Sequence, residues 1–189
     1  VNHTKHYFWA VQLPEDIKEN MYREMKRIQP FFPFKKWVYM SDYHITLAFL
    51  GSMDEQRQHL VIDLVSNALK DQKAFQLQIQ GLHIFGNTKS PRIFWSAVNH
   101  ENSLFQLQGM VHQKCQEAGF TLETRSYQPH ITLARNWIGD QEFDTALLEK
   151  WNPFRDQPLS FLANKVVLYR TDIDKIPKYE PIATLSLRS

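Results

Sequence analysis

The side chains best suited to chemistry in this chain come as two copies of one pentapeptide, His-Ile-Thr-Leu-Ala, at residues 44–48 and 130–134. Along a strand alternate side chains share a face, so His44, Thr46 and Ala48 point one way while Ile45 and Leu47 point the other. His130, Thr132 and Ala134 divide from Ile131 and Leu133 in the same way. The apolar set covers a core, and the imidazole and hydroxyl look away from it. One such pair is most simply a self-satisfied hydrogen-bonded feature. Two pairs brought face to face across a cleft are a base, an acid and two hydroxyl donors, because imidazoles titrating at about 6.5 take and give protons near neutral pH. An in-line displacement at phosphorus uses that set: a base beside the nucleophile, an acid beside the leaving group, and donors around the oxygens where charge accumulates. A zinc site is the sharper alternative, but neither motif has the i, i+4 histidine spacing or a nearby third ligand, and the displacement geometry requires no metal.

Those strands need a frame. Residues 5–13 alternate as a strand, and Pro14 opens a helix in which Ile17, Met21, Met25 and Ile28 recur at helical spacing until Pro30. A short strand around 36–40 leads into the first motif strand, which Gly51 closes. A helix over roughly 54–70 turns Leu60, Val61, Leu64, Val65, Ala68 and Leu69 to one side. Strands at 74–86 and 91–98 flank the turn chemistry of "GNTKSP". The order then begins again. Asn102 or Ser103 caps a helix with Leu104, Leu107, Val111, Cys115 and Ala118 inward, and Gly119 stands at its C-terminal cap. A strand near 120–125, the second motif strand, a short helix at about 140–150 and strands near 160–170 and 180–188 complete the chain. Many connections are too short for parallel crossovers, so the expected class is α+β, with largely antiparallel pairing and helices packed outside.

The repeat extends beyond the pentapeptide. "HYFWAV" at 6–11 resembles "RIFWSAV" at 92–98, and the step from Phe8 to Phe94 and from Trp9 to Trp95 equals that from His44 to His130. Coincidental apolar strands would explain the Ile, Leu, Phe and Trp matches, but not histidines and threonines in phase. The chain therefore reads as an internal duplication, and a pseudo-twofold axis would turn the two polar faces toward each other.

Composition limits the function classes. A chain of 189 residues, 43% hydrophobic and 13% aromatic, can bury a core as one domain or as two small lobes sharing a cleft, and a monomer is expected. The net charge of +2 permits a polyanionic substrate without the bias of a dedicated nucleic-acid binder. The densest positive stretch sets Arg23, Lys26, Arg27, Lys35 and Lys36 against Glu24, and reads as a solvated helix face and loop ahead of an RNA-contacting patch. No apolar run is long enough to span a bilayer, the first residues lack signal-peptide features, and the single Cys115 allows no internal disulfide. A cytoplasmic location is expected.

Two His-x-Thr copies, "HITLAFLG" and "PHITLAR", resemble the motifs of the 2H phosphoesterase superfamily, and within it the RNA 2',3'-cyclic phosphodiesterases, also called 2'-5' RNA ligase-like proteins. The likeness includes "HYFWAVQLPED", "KKWV" before the first motif, "PRIFW", and "AGF" before the second. The resemblance implies a bilobal fold, one domain of two pseudo-twofold related lobes, with two antiparallel sheets facing a central cleft and no cofactor. It implies His44 as proton donor to the leaving ribose oxygen, His130 as the acceptor that activates water, and Thr46 and Thr132 as phosphate-binding hydroxyls. Arg135 matches the arginine expected near the substrate, where the first copy has Phe49. Strict alternation would turn Arg135 toward the core, so a substrate role needs the strand to end, twist or bulge there.

Other residues read as structural. His3, His6, His59, His100 and His112 are expected at the surface, His83 in an apolar strand with a structural role, and Cys115 in the core. Tyr43 and Phe49 are open between core packing and stacking of a base. The expected activity is metal-independent hydrolysis of RNA 2',3'-cyclic phosphate ends, or of cyclic nucleotides, to 2'-phosphomonoesters. Two alternatives stand beside it: a nucleotide or RNA-end binding module of the same fold, and 2'-5' ligation of tRNA halves.

Overall fold

The structure is a computed structural model that describes residues 5–189; His3 lies outside them. The alternating N-terminal segment forms β1 (Tyr7–Gln12), and α1 (Glu15–Ile28) follows, with Ile17, Met21, Met25 and Ile28 on its buried side. Each such side chain taken fully from water contributes roughly 1.5–3 kcal/mol. After a turn that contains Pro30 come β2 (Phe34–Trp37) and the first motif strand, β3 (His44–Gly51), where Gly51 takes a positive φ of 71°. Asp54 then caps α2 (Glu55–Leu69), accepting from the Arg57 amide at 2.8 Å, which is worth about 1 kcal/mol. β4 (Phe75–Asn87) and β5 (Ser90–Val98) form a hairpin. α3 (Asn102–Glu117) is capped by the Glu101 carboxylate on the Ser103 amide, one residue before the expected cap, and ends at Gly119 with φ 85°. The second motif strand is β6 (His130–Trp137), followed by the short α4 (Ala146–Lys150), β7 (Leu159–Ala163), β8 (Lys165–Thr171) and β9 (Tyr179–Ser186).

The strands make two antiparallel sheets, ordered β3-β1-β8-β9 and β2-β6-β5-β4-β7. The α+β class and the two-sheet architecture are as the sequence led one to expect. Strand for strand, β3-β1-β8-β9 corresponds to β6-β5-β4-β7. β4 and β5 follow the first motif yet lie in the sheet of the second, and β8 and β9 follow the second motif yet lie in the sheet of the first, so neither sheet is a contiguous half of the sequence. α2 packs on α3 and α3 on β3, with Val61, Val65, Leu107 and Val111 buried there. Among the described residues no helix is long and apolar enough to cross a membrane.

Three expectations about the elements need correction. Residues 120–125 form no strand. β6 already has β5 on one side and β2 on the other, so no edge is free to pair, and Phe120 and Leu122 plug the core from a loop instead. The single strand expected near 160–170 is two, divided at Asn164, with β7 in one sheet and β8 in the other.

The third correction concerns the Phe-Trp pairs. Phe8 opposes Phe49 and Trp9 opposes Ala48, whereas Arg135 and Ala134, the counterparts of Phe49 and Ala48, are opposed by Ile93 and Phe94. The two pairs are thus one residue out of step relative to their motifs, and a slip of one residue exchanges the faces of a strand. Phe8 turns to His44 with ring centroids 4.8 Å apart, while Phe94 stacks on Phe32 in the core at 4.8 Å. Trp9 is fully buried in the core, while Trp95 faces His130 at 5.8 Å.

Candidate active site

Both motif histidines stand at the first residue of their strand, and both are fixed in the same way. The His44 Nδ1–H donates to the Asp42 carbonyl two residues back at 2.7 Å, and the His130 Nδ1–H to the Gln128 carbonyl at 2.8 Å. With the proton held on Nδ1, each neutral ring presents the Nε2 lone pair outward. The Thr46 hydroxyl donates to His44 Nε2 at 3.0 Å. Among the described residues, His130 Nε2 has no such partner. His44, Thr46, Phe49, His130, Thr132 and Arg135 line one pocket of about 180 Å³, so every site residue expected from the sequence is brought to one place.

Arg135 and Phe49 reach this pocket because of a bulge. In the first sheet Ala48 opposes Trp9 and Thr46 opposes Ala10, leaving Leu47 without a register partner; in the second, Leu133 is skipped in the same way between Phe94 and Trp95. The extra residue reverses the alternation, so the second residue beyond it returns to the cleft face. Phe49 is 55% exposed and Arg135 half-buried at the rim, both on the side of the histidines.

The two motif strands satisfy their outer edges differently. β6 is covered by β2, and the Val38 amide donates to the Leu133 carbonyl at 2.9 Å. β3 is a sheet edge, where the Tyr127 hydroxyl donates to the Thr46 carbonyl at 3.0 Å and the Gln108 amide to the Leu47 carbonyl at 3.3 Å. Tyr127 lies in the segment entering the second motif, so one half-site braces the other.

The rings that surround the histidines differ as well. His44 packs against Phe8, stands edge-on to Tyr179 at 5.1 Å and lies 6.2 Å from Tyr169. Burial, then the positive charges of His130, Lys178 and Arg135, push its pKa down to about 4. His130 meets the edge of Phe85 at 5.2 Å, and burial together with Arg135 lowers its pKa too. Both imidazoles are therefore neutral near pH 7 in the free protein. Among the described residues no three His, Cys, Asp or Glu side chains converge on a common point.

Asp42 is a buried residue of the pocket lining that the sequence did not single out. Its side chain is 4% exposed, and its two oxygens accept from the Lys178 and Tyr179 amides at 3.3 and 3.2 Å. Burial raises the carboxyl pKa against those two donors. The residue thereby ties the β8–β9 turn to the carbonyl that orients His44. A carboxylate two residues ahead of the motif was a visible signal, whereas nothing local announced Tyr179 or Lys178. Tyr43, open between core and stacking, is a buried core residue. His6, His59 and His100 are exposed, His112 half-buried, and Cys115 fully buried with its thiol pushed up to about 12. His83 is exposed and stacks on Trp95 at 4.6 Å, outside the pocket lining.

Residues 14–175 match the family model described as the 2'-5' RNA ligase superfamily. A protein named RNA 2',3'-cyclic phosphodiesterase from Geobacillus stearothermophilus is 37% identical over 185 residues, which are 96% of this chain and 57% of that protein. The chain thus spans little more than half the length of that relative. A protein of the same name from Bacillus subtilis is 32% identical over 182 residues, 96% of each chain. Among solved structures, E. coli LigT complexed with 3'-AMP superposes with a TM-score of 0.77 at 21% identity, covering 99% of this chain and 100% of that one. The TT0787 protein of Thermus thermophilus gives 0.77 at 22%, covering 97% and 98%.

Proposed function

The chain belongs to the 2'-5' RNA ligase superfamily, and from that premise we propose that it hydrolyses RNA 2',3'-cyclic phosphate ends to 2'-phosphomonoesters. The observation that carries the reading is the pair of outward Nε2 atoms, His44 and His130, sharing one pocket with two hydroxyls and one guanidinium. We read the two lobes as halves of one duplicated domain that acts as a monomer in the cytoplasm, with no cofactor.

In the proposed reaction a water attacks phosphorus in line with the ribose 3'-oxygen. His130 Nε2 takes the water proton, the P–O3' bond breaks, and His44 Nε2–H protonates the departing oxygen. The product carries a 2'-phosphate and a free 3'-hydroxyl. Thr46 and Thr132 donate to the non-bridging oxygens, and Arg135 opposes their growing charge. The donor role asks His44 to be charged, although its pKa in the free protein is about 4. Restoring it to about 7 takes about 4 kcal/mol. An anion about 4 Å away supplies roughly that much at an effective dielectric of about 20. The substrate phosphate thus charges its own acid, and without a phosphate in the cleft His44 stays neutral.

Phosphorus NMR tests the reading. With EDTA present, an oligoribonucleotide bearing a 2',3'-cyclic phosphate should open to the 2'-phosphate alone, and His44→Ala and His130→Ala should each lower kcat/KM by roughly 10²–10⁴-fold. Turnover that survives both substitutions, or a 3'-phosphate product, would sink it.

A further inference from the structure

The pocket that holds the two histidines, about 180 Å³, is smaller than the roughly 300–1,000 Å³ of sites that enclose a drug-sized ligand. It has room for a phosphate and the edge of a ribose. It opens, through Val38, Asp42 and Arg135, into a groove of about 590 Å³ between the β2 end of one sheet and the β8–β9 turn of the other. That groove is lined by Lys26, Lys35, Lys36, Lys175, Lys178 and Arg135, and its one carboxylate, Asp42, already accepts two backbone amides. Lys175 pairs with Asp172 at 3.5 Å. Among the described residues Lys26, Lys35, Lys36 and Lys178 pair with no carboxylate.

Apolar surface lies between these cations. Tyr39 is 49% exposed, and Ile173 and Ile176 across from it are 61% and 80% exposed, all three lining the groove. Cations that follow a backbone, with exposed flat or apolar side chains between them, are the usual means of holding a single strand whose bases are unstacked. A duplex would present only its phosphates and leave the apolar rim in water.

We propose that this groove binds the single-stranded RNA immediately upstream of the reacting phosphate, so that the preferred substrate is a cyclic-ended oligonucleotide and not a cyclic mononucleotide. The inference rests on the proposed hydrolysis and adds where the strand lies and which residues hold it. The phosphates lie along Lys26, Lys35 and Lys36, and a base stacks on Tyr39. The basic stretch from Arg23 to Lys36, which the sequence alone presents as a solvated face, contributes three of its five cations to this groove.

The test compares 2',3'-cyclic mononucleotide with di-, tetra- and hexaribonucleotides of the same end, using wild type and the triple variant Lys26→Gln, Lys35→Gln, Lys36→Gln across a potassium chloride series. In wild type, kcat/KM should rise at least about tenfold from mononucleotide to hexamer, and the triple variant should lose most of that gain. At about 0.7 per phosphate contact in a single strand, the logarithmic salt slope for the hexamer should fall by about two. Equal efficiency at all lengths in wild type, or an equal loss on mononucleotide and hexamer in the variant, overturns the groove assignment. If no cyclic substrate turns over, the proposed hydrolysis is wrong, and fluorescence anisotropy with a labelled cyclic-ended hexamer still decides the groove. Weaker binding by the triple variant upholds it. Unchanged binding, or equal affinity of wild type for duplex RNA, overturns it.

Discussion

The two half-sites start from the same five residues and reach different environments. In both, the ring Nδ1 is tied to the carbonyl two residues back, and the strand bulges at the motif leucine. Everything contributed by neighbouring strands differs. His44 is closed in by Phe8 of β1 and Tyr169 and Tyr179 of the C-terminal strands, and its Nε2 is held by Thr46; His130 meets Phe85 and Trp95 of the central hairpin, and its Nε2 is open. The tie that orients each ring is thus made within its own stretch of chain, and the electrostatics is supplied by the partner elements. The two identical imidazoles therefore stand in unequal surroundings, one more deeply enclosed and nearer to Lys178.

Among changes that tell the half-sites apart, the largest effect should come from the residue where the copies part. Arg135→Gln removes the one guanidinium lining the pocket and should lower kcat/KM by roughly 10- to 100-fold, whereas Phe49→Ala, at the matching position, should change it by about threefold or less. Steady-state kinetics on one oligonucleotide measures both, and equal losses would mean that the asymmetry does not orient the substrate. Next is the acid that braces only the first half-site. Asp42→Asn replaces an acceptor with a donor facing a backbone amide, at a cost of about 1–3 kcal/mol, and should lower kcat by about tenfold. Nitrogen NMR should also show the His44 tautomer loosened. Gln128→Ala, which keeps its backbone carbonyl, should stay within about twofold. A loss in Gln128→Ala as large as that in Asp42→Asn would contradict the one-sided brace.

The smallest effect is on stability. A histidine whose folded pKa lies below its unfolded value of about 6.5 contributes stability that is present above about pH 6.5 and is lost as pH falls through the folded pKa. For His44, with a folded value of about 4, that window runs from about pH 6.5 down to 4 and is worth at most about 3 kcal/mol. Urea unfolding at a series of pH values should show His44→Ala flattening this slope more than His130→Ala does. The reverse order would place the deeper ring in the other half-site.

The sequence by itself determined the chemistry and much of the local structure: two imidazole–hydroxyl faces, the helices that present Met21 or Val111 to the core, and the departure at Phe49 and Arg135. These are legible because side-chain periodicity and residue type act within a few positions of the chain. Tertiary structure decided what depends on distant partners. The exchange of β4 and β8 between sheets, the one-residue slip of the Phe-Trp pairs, the bulges that return Arg135 to the cleft, and the brace from Asp42 to Tyr179 all follow from strand register. Register is set by which neighbour offers a free edge and a matching pleat. That is a property of the assembled sheets, and no short stretch of sequence contains it.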